Sequence, residues 1–167
     1  VLALSFVVLF NCARLVLHAR AIATLNSRMY NGEVPLRVAA FPTPLNPLTW
    51  QALAETSDRY YLSVLNLNAD FHPGSGRLLY KNDPGAAVPV LRGSKDFGSL
   101  IGFTQYALWK VTANGNDTSY QLTDLRFGDP VRQTFSCSAR LAARVPISGP
   151  PRDERCDFTF QANFGEP

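Results

Sequence analysis

The first 30 residues contain no proline and no glycine, and the first ten, VLALSFVVLF, contain no charge. A stretch without helix breakers, closed by a stop signal at Asn31-Gly32, predicts one helix of about 45 Å, taking about 30 residues at about 1.5 Å each. Other scarcities exclude whole classes of function. The 16 basic residues are 13 Arg and three Lys, and the net charge is only +3. They are scattered, with no basic stripe interleaved with aromatics, so nucleic-acid binding is not expected. There are two histidines, His18 and His72, far apart in sequence. No G-x-S-x-G elbow, phosphate loop or Cys-His pairing in a recognisable context is present.

Cysteine is also scarce. Cys12, Cys137 and Cys156 are odd in number and widely spaced, which fits neither a disulfide framework nor a zinc site. Cys137 and Cys156 would pair only if their strands were neighbours and the compartment oxidising. The expectation adopted is three free, buried thiols in a reducing compartment.

The uninterrupted apolar run reaches only Phe10, with Asn11 and Arg14 following, whereas a full span needs about 20 apolar residues. Together with a start at Val1 rather than Met, this predicts a fragment or processed chain that begins inside a transmembrane helix. A signal peptide would show a basic start and a small-residue cleavage site, and neither is seen. Residues 1–20 are expected to contact the lipid bilayer. Arg14, His18, Arg20, Arg28 and Arg37 follow the run against one acid, Glu33, which by the positive-inside tendency places residues 14–167 in the cytoplasm. Asn11, Arg14, His18 and Arg28 fall on one helical face. That stripe either faces a bundle interior or, the preferred alternative, sits at headgroup level with its cations reaching toward phosphates.

The next segment, FPTPLNPLTW (41–50), is too proline-rich for a helix or a central strand. It lacks the Gly and Ser of a floppy linker. It is expected to be a rigid connector leading into the first strand, with Trp50 as an anchor and Asn46 bonding the turn backbone. Beyond it the periodicity alternates. Thr49–Thr56 and Arg59–Asn68 form a hairpin across Ser57-Asp58, apolar on both faces. Residues 70–93 are rich in Pro and Gly and are expected to be loop. Ser94 should cap a short helix over Lys95–Gln105, in which Gly98 and Gly102 allow close packing. Ala107–Ala113 and Ser119–Phe127 flank Asn114-Gly115, a type I′ hairpin signal. Gly128-Asp129-Pro130 turns into a strand over 132–144, and a last strand is expected over 156–164. The predicted class is therefore α+β: a partial transmembrane helix over 1–31, a connector over 32–48, and a soluble domain over 49–167 with an antiparallel sheet of five or six strands and one short helix.

These residues carry a resemblance. HARAIATLNSRMYNGEVPLRVAAFPTPLNPLTWQALAET and DRYYLSVLNL, then LLYKNDP, FTQYALWKV and LTDLRFG, resemble in order the C-terminal half of the membrane-bound metal-dependent hydrolase family, the bacterial inner-membrane YdjM-like proteins. The resemblance implies an integral-membrane hydrolase using a divalent metal, with the ligands in a histidine-rich motif upstream of Val1 and upstream membrane helices as partners. It implies no metal site or cofactor in this stretch and leaves the catalytic residues unknown. Among its own residues, Asp124 and Arg126, two apart on one strand face, could orient a phosphate or act with a distant metal, but fit an exposed or partly covered structural ion pair better. Glu55 and Asp58 are acids flanking a turn, and His72 is a lone loop histidine. Asn116-Asp117-Thr118 is formally a glycosylation sequon, without meaning in a cytoplasmic bacterial loop. The competing class is a membrane-anchored binding or assembly module without chemistry.

Overall fold

The computed structural model of the chain describes residues 2–44, 46–127, 135–142 and 150–158. It divides into two compact units, residues 1–80 and 81–167. The class is α+β: an N-terminal apolar helix, short helices and two antiparallel sheets of four strands each. The expected five or six strands and one short helix are thus corrected to eight strands and two short helices among the described residues.

In the first unit the helix α1 (Leu2–Asn26) has two unlike halves. Residues 2–13 are exposed throughout. The second half docks on the sheet through Leu17, Ala21, Ile22 and Leu25, with Ala21 and Leu25 fully buried. Asn31 and Gly32 both take positive φ (53° and 85°), the type I′ combination that favours this residue pair. The turn closes a bridge between Tyr30 and Glu33.

The sheet is a meander of β1 (Arg37–Pro42), β2 (Thr49–Glu55), β3 (Arg59–Asn66) and β4 (Arg77–Tyr80). The β2–β3 hairpin lies where the alternation placed it. Strand β1 was hidden inside the expected connector. Pro42 pairs opposite Trp50 at the end of an edge strand, where a missing N–H costs no ladder bond. FPTPLNPLTW is therefore the tip of a hairpin rather than a lead into the first strand. Strand β4 was hidden in the Pro/Gly-rich stretch because it spans only four residues. Trp50, Ala52 and Ala54 alternate toward α1; on the other face Leu53 and Tyr60 are buried, while the Gln51–Val64 pair is exposed.

In the second unit β5 (Ala107–Asn114), β6 (Asp117–Asp124), β7 (Ser136–Ala142) and β8 (Arg152–Asp157) form the other meander. The β5–β6 loop is Gly115-Asn116, between the paired Asn114 and Asp117. Of the two loop residues only Gly115 has positive φ (59°), which is the type II′ pattern with Gly first and not the expected type I′. The helices α2 (Ala87–Arg92) and α3 (Lys95–Phe103) supply Ala87, Leu91, Phe97 and Leu100 to a core shared with Tyr120, Leu122, Cys137, Ala139 and Leu141. Ser94 caps α3 as expected, its hydroxyl accepting from Phe97 N at 3.2 Å. The parts of the predicted turn and strands over 128–134, 143–149 and 159–164 lie outside the described residues.

The expectation of three free thiols is corrected. Cys137 and Cys156 stand opposite each other on β7 and β8 and form a disulfide, while Cys12 is free and exposed rather than buried. Their separation of 19 residues concealed a register that only the strand order reveals.

The two glycines of α3 differ. A Cβ on Gly98 would collide with the Arg92 carbonyl oxygen at the end of α2, whereas one on Gly102 meets no described atom within 4 Å. Gly98→Ala is expected to destabilise the second unit by about 1–3 kcal/mol, the usual cost of overpacking. Gly102→Ala should be neutral or stabilising by up to about 1 kcal/mol through helix propensity. Urea titration of both variants checks the contrast.

Tyr30 gives a pH test of the first unit. Its hydroxyl donates to Leu25 O at 3.1 Å, and its ring packs on Tyr61 at 5.2 Å. Burial pushes its pKa up to about 12, against a smaller opposing pull from Arg28. A group raised in the folded state stabilises below its unfolded pKa, about 10 for tyrosine. Between about 10 and about 12 the unfolded chain loses this proton and the folded chain keeps it, so stability falls as pH rises. Tyr30→Phe should remove that alkaline loss from chemical-denaturation curves measured across the window.

Candidate membrane-facing site

The exposed and docked halves of α1 meet at Arg14, and the sequence supplies a cluster there. Arg14 is half-buried, with its guanidinium carbon 5.7 Å from the Phe10 ring centre and 6.0 Å from that of Trp50. One turn on, the His18 ring lies 5.4 Å from Trp50 with the planes tilted by 45°. Arg20 reaches across to the sheet, its Nη2 donating to Leu67 O at 3.1 Å. Trp50 is buried, and its indole N–H has no hydrogen-bond partner among the described residues. Such an orphaned buried donor costs about 1–3 kcal/mol.

The described residues of the β1–β2 loop beside Trp50 are tied by local hydrogen bonds. The Thr43 hydroxyl donates to Asn46 O at 3.0 Å and Thr49 O at 2.8 Å. Asn46 Oδ1 accepts from Leu48 N at 2.9 Å, the local bond expected of that residue. Pro42, Pro44, Asn46 and Pro47 are exposed along the tip. Because Trp50 and Leu67 touch the start of the docked half, the end of the sheet carrying this loop is the end nearest the apolar half of α1. A guanidinium and an imidazole thus converge on one indole, where the exposed apolar half of the helix ends and the docked half begins.

Of the four residues expected on one stripe, the structure brings Arg14 and His18 together on Trp50. Asn11 instead donates to Val7 O within its own helix at 2.8 Å, and Arg28 lies exposed beyond the helix end. Arg20 was missed by the stripe; its place beside the apolar positions 17 and 21 was the available signal.

The other predicted residues are separate from this cluster. Glu55 is buried and ion-paired with Arg37, its direct cross-strand neighbour, with Arg37 Nε 2.6 Å from Oε2. Asp58 is exposed, and the Arg59 guanidinium, bound through both nitrogens at 2.7 Å, holds its carboxyl below the ordinary range. His72 is exposed and precedes a single 3-10 turn, Pro73–Ser75.

Asp124 and Arg126 do meet. Asp124 is fully buried, and Arg126 Nη2 lies 2.7 Å from its Oδ2, with Nε at 3.0 Å from the same oxygen. The guanidinium also donates to Phe103 O at 2.8 Å and lies 4.5 Å and 4.8 Å from the Phe103 and Phe127 rings. A guanidinium held by a carboxylate, a carbonyl and two rings ties the end of β6 to α3, and it is not presented to a phosphate. Among the described residues no group of three His, Cys, Asp or Glu is placed to hold a metal ion.

No protein-family profile matches the chain, and neither does any curated protein or solved structure.

The buried ion pair is open to a direct test. Arg126→Met should destabilise the second unit by about 3–5 kcal/mol, because it strands a buried carboxylate. Asp124→Asn with Arg126→Met should recover a large part of that loss. Additive costs in the double-mutant cycle would show that the two side chains act independently.

Proposed function

We propose that this chain is the membrane-anchored C-terminal part of an integral-membrane, metal-dependent hydrolase, with the catalytic metal held by sequence upstream of Val1. The observation that carries the anchoring is the division of α1. It is the one helix among the described residues long and apolar enough to cross a membrane, a description that a membrane anchor and a signal sequence both meet. A signal sequence is removed after export, yet Ala21 and Leu25 are fully buried in the core of the first sheet. A segment on which the fold packs is retained, which supports an anchor. The exposed apolar half then enters lipid, the Arg14–His18–Trp50 collar meets the headgroups, and the β1–β2 loop faces the membrane surface.

The hydrolase assignment is supported by the sequence resemblance, from HARAIATLN through PTPLNPLTW to DLRFG. No step of the reaction is assigned to residues of this chain. Its part is to stand at the membrane surface beside the upstream helices and present the β1–β2 loop and sheet to substrate or to those helices. The competing function, a non-catalytic binding or assembly module, differs in needing no metal anywhere in the parent protein.

Two measurements test this function. The full chain should float with lipid vesicles through a sucrose gradient, resist extraction by carbonate, and become extractable when Leu9 and Phe10 are both replaced by Asp. In the parent protein, metal-dependent turnover should disappear when upstream histidines are changed and survive His18→Gln and His72→Gln. A parent protein that purifies without metal and without turnover would leave the assembly module as the correct function.

A further inference from the structure

The disulfide has consequences beyond its own two residues. Cys137 on β7 is fully buried and faces Cys156 on β8 with their Cα atoms 4.1 Å apart. Strand β8 is the edge of its sheet, and its pairing with β7 is interrupted by a register shift between Ser138 and Arg140. Asp153 within it takes a φ of 52°, a conformation that costs a non-glycine residue stability. A strand with an irregular ladder and mostly exposed side chains needs other attachments. The disulfide is one. An exposed ion pair, Arg140 Nη1 to Asp153 Oδ2 at 3.4 Å, adds a second, and a third is Glu154, whose Oε1 accepts from Phe97 N at 2.9 Å and from the Ser94 hydroxyl at 2.6 Å. There it places a negative charge at the N-terminus of α3, where the helix dipole favours it. Phe97, the residue so held, is fully buried and stacks on Trp109 at 5.9 Å. The sulfur bridge therefore secures the strand that completes the cap of α3.

Such a bond persists in oxidising compartments, and cytosolic thiol pools keep such pairs reduced. We propose that Cys137–Cys156 is a structural disulfide formed on the oxidising, extracytoplasmic face of the membrane, and that the described residues beyond α1 lie on that face. In its formation the two thiols exchange with the disulfide of an oxidising thiol–disulfide oxidoreductase. The Cys137–Cys156 bond forms, the donor's S–S bond breaks, and the two protons and two electrons leave with the donor as its dithiol. By charge alone, Arg14, Arg20, Arg28 and Arg37 against Glu33 favour the cytoplasmic side. Two of those cations are engaged within the fold, Arg20 by Leu67 O and Arg37 by Glu55. The charge bias is a tendency that compares two flanks, whereas a reduced compartment acts directly on the sulfurs.

The proposal rests on α1 crossing a membrane and is independent of the hydrolase assignment. The test uses bacterial cells expressing the full chain, quenched in acid, denatured and treated with polyethylene-glycol maleimide. One adduct, on Cys12, is expected without reductant, and three after full reduction; the Cys137→Ser/Cys156→Ser variant should give one in both lanes. Three adducts without reductant would overturn the disulfide. For the side of the membrane, intact spheroplasts expressing Cys12→Ser/Asn116→Cys, whose new thiol stands in the exposed β5–β6 loop, receive a membrane-impermeant maleimide before or after lysis. Labelling of intact spheroplasts supports the extracytoplasmic face, and labelling only after lysis overturns it. Flotation of the same cell extract reports the anchoring separately, so a failure of that reading is recognisable as such.

Discussion

The contact on which the first unit depends is the burial of Ala21 and Leu25 of α1 against the first sheet. Ala21 has too small a side chain to hold the helix away from the strands. Leu25 fills the space one turn further on, beside Tyr30 and Tyr61. Fully burying one leucine contributes about 1.5–3 kcal/mol, so few such contacts suffice to turn an apolar helix into part of a fold. Their position also fixes which end of the sheet, and which loop, stands at the exposed apolar half of α1.

The second unit repeats the four-stranded meander but secures it differently. Its sheet is covered by α2 and α3, whose tight junction requires Gly98 against the Arg92 carbonyl. Polar side chains tie both ends of α3. Glu154 and Ser94 satisfy its first turn, and Arg126 takes the Phe103 carbonyl at its last while neutralising buried Asp124. Each of these groups is buried or half-buried together with a partner, the condition under which a buried polar group is tolerated.

The sequence made legible whatever depends on neighbours along the chain. The β2–β3 hairpin followed from alternation on both sides of Ser57-Asp58, the β5–β6 hairpin from the Asn-Gly region, and the start of α3 from Ser94. Strand β1 was obscured because Pro42 signals a breaker, and the tolerance of an edge strand for proline appears only with the strand order. The Cys137–Cys156 pairing and the Glu154 cap depend on β8 lying beside β7, a relation that no local pattern encodes. For the candidate site, Arg14 and His18 were visible as a helical stripe. Trp50 was visible only as an anchor without a partner, since what it packs against is decided by the docking of α1.

The collar at Arg14 lies within one uninterrupted helix, and that continuity sets a phase. An α-helix advances about 100° and about 1.5 Å per residue, and there is no proline or glycine between Leu2 and Asn26 to absorb a change. A single residue added or removed near Ala13 would swing the apolar half by about 100° about the helix axis relative to the sheet it carries. The helix thus works as a keyed shaft: the face that its exposed half presents fixes the direction in which the proline-rich hairpin points.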